Sequence, residues 1–390
     1  MKKAASLAIG GALGTAVAFG PARMGYGLFL PRFRDTFSLS TSQAGLIASA
    51  AFAAFFCALL GSVYLVVRRG PRMPVVCGSL AAAIGMALVA TAQNKAMLAG
   101  GTVLAATSAG FCWSPFNNAA GRAIASGLRD RVLSIVSTGT TVGIAGAGAC
   151  ALAVAVLGWN WRAVWFGFSA LAMLCALINA LALRKLPASS PSSLDLSTLK
   201  RLVAKAVRPI HFIAGSFGVT SGIYLSFAVD HVNATGGLPG LQSGGAGAAL
   251  FIAFGIGGTL GLLTADIEQR IGLRRLVQAI FLCSTTSLLL IGLLPNTWLS
   301  VTGSAALQGL CLMGLSAIFS FVSQRLYPDL PTVSFTAVLA TYAFGNAIGP
   351  MLAGYAAGVS SLAVVFATAG GLSLATSLLF RADAAEARNG

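Results

Sequence analysis

The sequence predicts an all-α integral membrane protein with twelve transmembrane helices in two pseudo-symmetric six-helix bundles, and three observations carry that prediction. First, 57% of the 390 residues are hydrophobic and 9% are charged, with a mean hydropathy of +0.86, whereas soluble domains are about a quarter charged. Second, apolar stretches of about 20 residues, the length that crosses ~30 Å of hydrocarbon, recur from end to end. Third, the two halves of the chain resemble each other. Phe19, Gly20, Tyr26 and Phe29 recur as Phe217, Gly218, Tyr224 and Phe227, 198 residues later, and Gly45, "RRGPR" from Arg68 and Gly143 recur 202 residues later as Gly247, "RIGLR" from Arg270 and Gly345. A four-residue insertion in the Gly-rich loop 233–245 accounts for the change of separation.

Hydropathy and helix breakers place the spans in order. The first covers 5–31 and ends at Leu30-Pro31, with a bend at Gly20-Pro21. The next five cover 43–67, 73–93, 96–120, 132–157 and 162–183, divided by polar or Gly/Pro loops such as "RRGPR" and "GWNWR". The longest polar connection, 184–209, opens with a Pro/Ser tract and closes with a basic stretch. It separates an N-terminal bundle (1–183) from a C-terminal one (210–390). The second six spans cover 210–232, 243–265, 275–294, 298–322, 332–357 and 361–380. The opening "MKKAASLAIGGALGTAVAFGPA" has signal-peptide features, but its apolar stretch runs on to Leu30 and the repeat requires it, so it is expected to remain as a helix.

The net charge of +16 is topological. With the N-terminus inside, 20 of the 25 Lys and Arg, among them Lys200, Arg201 and Lys205, fall in cytoplasmic segments. Outer loops hold only Arg32, Arg34, Lys95 and Arg162. This is the positive-inside pattern, so a nucleic-acid partner is not expected. It implies a bacterial-type inner membrane protein with both termini cytoplasmic. The seven cysteines lie within spans without metal-ligand spacing, and no metal or cofactor is expected.

Arg23 is the remaining basic residue. Counted from Pro31 at 1.5 Å per residue it lies about 12 Å inside the outer end of its helix. No acid lies inside a first-half span, and Asp230 and Asp266 approach the membrane only near span ends. An embedded Arg faces a wet cavity or a partner, and its planar fork suits a carboxylate or phosphate. The bland alternatives are snorkelling to headgroups or capping carbonyls freed at Gly20-Pro21.

The run "LPRFRDTFSLSTSQAGLIASAAF" through Gly61 to "RRGPR", the glycine patterns "GTTVGIAGAG" (139–148) and "GNAIGPMLAG" (345–354), and "WNWR" (159–162) resemble the major facilitator superfamily across essentially the whole chain. Gly20, Arg23, Tyr26, Leu30 and Pro31 resemble the first helix of its YbfB/YjiJ-type group. The family's loop acid falls on Val67 and Gln269, with Asp266 and Glu268 displaced, and its fourth-helix Arg pattern is missing. The resemblance implies a major facilitator fold whose first, fourth, seventh and tenth helices line a cavity.

The substrate candidates on those helices are Arg23, Tyr26, Trp113, Asn117, Ser221, Tyr224 and Gln308. Asn118, Thr220, Tyr342 and Asn346 are weaker ones. Ser114 is a further polar residue there. His211, Asp230 and His231 are the coupling candidates, although no coupling ion is assigned. Arg68, Arg69, Gly70, Arg72, Arg270, Gly272 and Arg274 form the gating loops. The expectation is a monomeric secondary carrier of a small organic anion, working by alternating access without a catalytic residue. Efflux of hydrophobic drugs is the alternative. A membrane enzyme would need paired carboxylates, a metal cluster or a nucleophile-base pair; a non-transporting receptor would differ only in failing to move its ligand.

Overall fold

Ser40, Asn94, Asn160 and Ser361 each accept a backbone N–H two or three residues ahead, and each starts a helix at the same face of the protein. Such caps satisfy donors that lipid cannot. Ser40 and Gln43 complete a reciprocal capping box. The computed structural model describes residues 2–124, 126–184, 208–241, 245–326 and 331–380. The side chains of Val67, Ser114, Asn117, Arg122, Asp130 and Gln324 lie outside that description, as does nearly all of the connection 184–209, including Lys200, Arg201 and Lys205.

In chain order the helices are α1 (Lys2–Phe19), α2 (Pro21–Phe37), α3 (Thr41–Arg69), α4 (Arg72–Thr91), α5 (Lys95–Gly110), α6 (Trp113–Ala123), α7 (Ser126–Val156) and α8 (Trp161–Ala182). There follow α9 (Arg208–Ala234), α10 (Gly245–Thr259), a 3-10 turn (Leu260–Leu263), α11 (Thr264–Ile271), α12 (Leu273–Leu293), α13 (Trp298–Leu326), α14 (Pro331–Val359) and α15 (Leu362–Leu379). Among the described residues, eleven continuous segments are long and apolar enough to span a membrane.

The expected twelfth, 96–120, is divided into α5 and α6. Pro115 has no N–H to give the Phe111 carbonyl, and the helix is interrupted just before it at Phe111-Cys112. The first span differs too. The expected bend is present, with Pro21 opening α2 where its missing donor is harmless. Pro31 does not end the helix, which runs on to Phe37. Arg23 therefore lies fourteen residues, or about 21 Å, from that end, deeper than Pro31 suggested.

The repeat is visible as contact. Gly20 packs on the backbone of Gly143, joining α1 and α2 to α7, and Gly218 packs on Tyr342 and Gly345, joining α9 to α14. A methyl group at any of these glycines would strike main chain. The loop glycines match as well. Gly70 (φ 76°) and Gly272 (φ 82°) have positive φ and return their N–H to Val66 and Glu268, a conformation glycine adopts without strain.

The two repeats meet through α3 with α14 and α7 with α10. Toward the face opposite the N-terminus the meeting is tight. Gly27 abuts the Leu225 carbonyl and Gly45 abuts Pro350, while Ser42 Oγ donates to the Gly354 carbonyl at 3.2 Å. Arg34 at the end of α2 forms an ion pair with Asp230 of α9.

Candidate functional site

Below this closure a cavity of about 60 Å3 separates the repeats, room for roughly four water-sized guests. Its walls include Phe19, Phe55, Leu59, Trp113, Phe217, Met313, Phe319 and Leu339, with Arg23, Thr140, Ser316 and Tyr342 among them. Leu59, Phe217, Phe319 and Leu339 lie nearer the N-terminal-face ends of their helices, and Trp113 nearer that end of the α5–α6 span, so the cavity extends toward that face. Helices α3, α7 and α14 also line it, through Phe55, Leu59, Thr140, Leu339 and Tyr342, although most of the wall comes from the four spans that the resemblance indicated.

Arg23 is 7% exposed and sits in an aromatic cage. Its guanidinium carbon lies 4.2 Å from the Phe55 ring centroid, 5.5 Å from those of Phe19 and Phe52, and 5.7 Å from that of Tyr342. Phe19 precedes Arg23 by one helical turn, and Phe52 and Phe55 share a face of α3. Desolvated cation–π contacts are worth about 2 kcal/mol, comparable to the ~3 kcal/mol assigned to an Arg at the bilayer centre. The cage, rather than an acid, thus holds the charge in the membrane. Neither expected bland role is observed.

Arg23 stands against Tyr342, its guanidinium carbon 5.7 Å from that ring, and its Nε and Nη2 are buried without a partner. Thr140 Oγ1, also in the cavity wall, is likewise buried without a partner. Two guanidinium nitrogens and one hydroxyl, of residues in the same wall, therefore stand unused. A buried donor without a partner costs about 1–3 kcal/mol, more when charged. This arrangement is chemically suited to receive an anionic oxygen pair, since a guanidinium presents its donors as a fork.

The other candidates separate into those near this cavity and those committed elsewhere. Trp113 lines it, edge-on to Phe19 at 6.1 Å. Ser221 Oγ lies 3.3 Å from the Tyr342 hydroxyl. Asn346 donates to the Tyr342 carbonyl at 3.0 Å, leaving Oδ1 without a partner. Gln308 is fully buried with neither amide atom paired, one turn beyond Leu312 of the cavity wall on the same face of α13.

Tyr26, by contrast, gives its hydroxyl to the Ala44 carbonyl at 3.1 Å and reaches only a void of about 10 Å3 on the other side of Arg23. Tyr224 bonds Ser304 at 3.1 Å inside the second repeat, and Thr220 bonds carbonyls of its own helix at 3.3 Å. Asn118 is half-buried on α6, outside the cavity wall, and the side chain of Asn117 lies outside the described residues.

Asp230 and His231 do not pair. Asp230 crosses to Arg34, whereas His231 turns into the second repeat, 3.4 Å from the Gly292 carbonyl. His211 shares a 2.7 Å hydrogen bond with Thr341. In the loops, Arg72, Arg270 and Arg274 are exposed, Arg68 covers the Tyr64 ring at 4.7 Å, and Arg69 reaches Met73 Sδ at 3.8 Å. The displaced acid Glu268 accepts two hydrogen bonds from Arg325, at 2.7 and 3.0 Å, tying α11 to α13. The equivalent position in the first repeat is Val66, buried and apolar.

Sequence reasoning missed Phe19, Phe52, Phe55 and Thr140. The spacings Phe19 to Arg23 and Phe52 to Phe55 carry a signal in retrospect, but which face of α3 turns toward α2 is set by packing.

Comparison with solved structures gives extensive similarity at low identity. A bacterial homolog of the human lysosomal transporter Spinster, in an inward-facing, unoccupied conformation, superposes with a TM-score of 0.67 at 18% identity over 98% of this chain and 95% of that one. The nucleoside transporter NupG superposes at 0.73 with 14% identity over 97% and 98%. A POT family transporter in complex with a thioalcohol-conjugated peptide superposes at 0.76 with 12% identity over 97% and 95%. At such identities the likeness establishes the fold. No curated protein matches the sequence. Residues 12–329 match the sequence profile of the Major Facilitator Superfamily, and the chain belongs to that family of transmembrane carriers.

Proposed function

We propose that this secondary transporter moves a small organic anion across a bacterial-type inner membrane by alternating access, with both termini cytoplasmic. The observation that carries the reading is the caged Arg23 in the wall of a cavity between the repeats, its Nε and Nη2 buried without a partner. A cation that the protein itself leaves without acceptors favours a ligand that supplies them. Among the described residues the same cavity wall presents no carboxylate to hold an organic cation.

Contacts at the Arg34–Asp230 end and a cavity extending toward the N-terminal face fit a state closed to one side. Rocking of two repeats about a site near the midplane is the motion this arrangement favours. The sorting of Lys and Arg supports a cytoplasmic N-terminal face. Gly20, Arg23, Tyr26, Leu30 and Pro31 support placement in the YbfB/YjiJ-type group.

The phenyl and aliphatic walls favour a second reading, efflux of hydrophobic drug-like compounds. Proteoliposomes distinguish the two. The organic-anion reading expects uptake of labelled naphthalene-2-sulfonate, which stays ionised and does not leak as a neutral acid, and loss of that uptake in Arg23→Gln. Uptake of tetraphenylphosphonium by wild type and Arg23→Gln alike, with none of the sulfonate, would establish the drug reading.

A further inference from the structure

We infer that the cavity selects lipophilic monoanions, one carboxylate or sulfonate head on an aromatic or aliphatic body, over polar or multiply charged acids. The inference rests on the organic-anion reading and specifies its ligand class. The head group is argued from charge count. Among the described residues Arg23 is the single charged one in the cavity wall. One anion neutralises it, whereas the second charge of a dianion would be buried without a counterion, which is strongly unfavourable in a low-dielectric site.

The body is argued from the remaining surface. Beyond Arg23, the polar groups of the wall are Thr140, Ser316 and Tyr342, with the indole N–H of Trp113. The Tyr342 hydroxyl already accepts from Ser221 at 3.3 Å. The hydroxyls of a sugar acid or a hydroxy-tricarboxylate would far outnumber the partners available, and each one left dry opposes binding. Phe19, Phe55, Trp113, Phe217 and Phe319 instead offer ring faces and edges, while Leu59, Leu312, Met313 and Leu339 offer aliphatic surface. Aromatic rings pack on one another with a preference beyond area burial, and Met313 adapts to irregular shapes.

Such a ligand is larger than the cavity of about 60 Å3 in this state, so it enters as the repeats move apart, from either of two sources, water or the bilayer. A soluble aryl acid and a membrane-partitioning alkyl acid share the required chemistry. The test is ligand-induced thermal stabilisation of the full chain in nanodiscs at neutral pH, using 2-naphthoate, decanoate, the neutral isostere 2-naphthamide, naphthalene-2,6-dicarboxylate, acetate and citrate.

The expected result is a rise of about 4 °C or more with saturating 2-naphthoate or decanoate, and at least about tenfold weaker apparent affinity for the amide, the dianion, acetate and citrate. A response to naphthoate alone indicates the aqueous source, and a response to decanoate alone the bilayer. The stabilisation should vanish in Arg23→Gln and persist in a variant of the exposed Arg208, Arg208→Gln. If Arg23→Gln does not fold, the naphthoate-to-naphthamide comparison in wild type gives the same answer. Equal stabilisation by acetate or citrate overturns the lipophilic selection while leaving the organic-anion reading standing. Stabilisation by 2-naphthamide equal to that by 2-naphthoate, retained in Arg23→Gln, overturns both.

Discussion

The guanidinium of Arg23 lies against the ring of Phe55, 4.2 Å from its centroid. This contact joins the first and second membrane crossings and substitutes ring quadrupoles for the counterion the first repeat lacks. If it holds the charge, the two residues are energetically coupled. Phe55→Leu should destabilise wild type by about 1–2 kcal/mol beyond its effect in an Arg23→Met background, the range of a desolvated cation–π contact. A double-mutant cycle on thermal unfolding measures this. Strict additivity would show that the cage does not hold the charge.

The Arg34–Asp230 pair closes the face opposite the N-terminus. Asp230→Asn leaves the volume but removes the charge, and weakening the closed state by about 1.4 kcal/mol changes its population ratio tenfold. A cysteine at Ser42, beside Gly354 in the same closure, reports the change when Cys57, an exposed thiol, is replaced by Ser. The expected outcome is a several-fold faster reaction with an impermeant maleimide in Asp230→Asn than in the parent. Equal rates would remove the pair from the closure.

Two glycines three residues apart on α7 should behave oppositely. A methyl group at Gly143 meets the backbone of Ala16, which cannot yield, whereas one at Gly146 meets nothing within 4 Å. Gly143→Ala is expected to cost about 1–3 kcal/mol through overpacking. Gly146→Ala should gain up to about 1 kcal/mol from reduced backbone entropy. Thermal midpoints of the two variants, measured side by side, check both signs.

The two tyrosines nearest Arg23 should also separate. Tyr26 is committed to Ala44, so Tyr26→Phe should lose about 1 kcal/mol of stability and leave anion binding unchanged. Tyr342 stands beside Arg23 in the cavity wall, its ring 5.7 Å from the guanidinium carbon, so Tyr342→Phe should weaken anion binding about tenfold, the effect of losing one hydroxyl that donates to an anionic oxygen. Titration of both variants with naphthalene-2-sulfonate distinguishes them.

The contrast between these tyrosines shows what sequence can convey. Repeat spacing made Gly20, Gly143, Gly218 and Gly345 legible, because close helix approach demands the same residue in the same register, and all four sit at helix contacts. Arg23 was legible as a charge out of place. Tyr26 and Tyr224 matched each other in the repeat as well, but their hydroxyls are spent on Ala44 and Ser304, since pseudo-symmetry preserves packing roles as readily as binding ones. Phe55 and Thr140 were not legible, because a phenyl or a hydroxyl in an apolar helix has no distinguishing neighbour until the rotation of that helix is known. The interruption before Pro115 and the continuation through Pro31 show the same limit. A proline removes one donor, and packing determines whether the helix breaks.

The most direct test of the account is calorimetric titration of naphthalene-2-sulfonate into wild type and Arg23→Gln, both shown to be folded by size exclusion. With two charge-assisted donors lost at about 1.5 kcal/mol or more each, the account predicts at least a hundredfold weaker dissociation constant for the variant. An unchanged constant would contradict it, because the buried charge would then serve the packing of α2 and α3 and not the ligand.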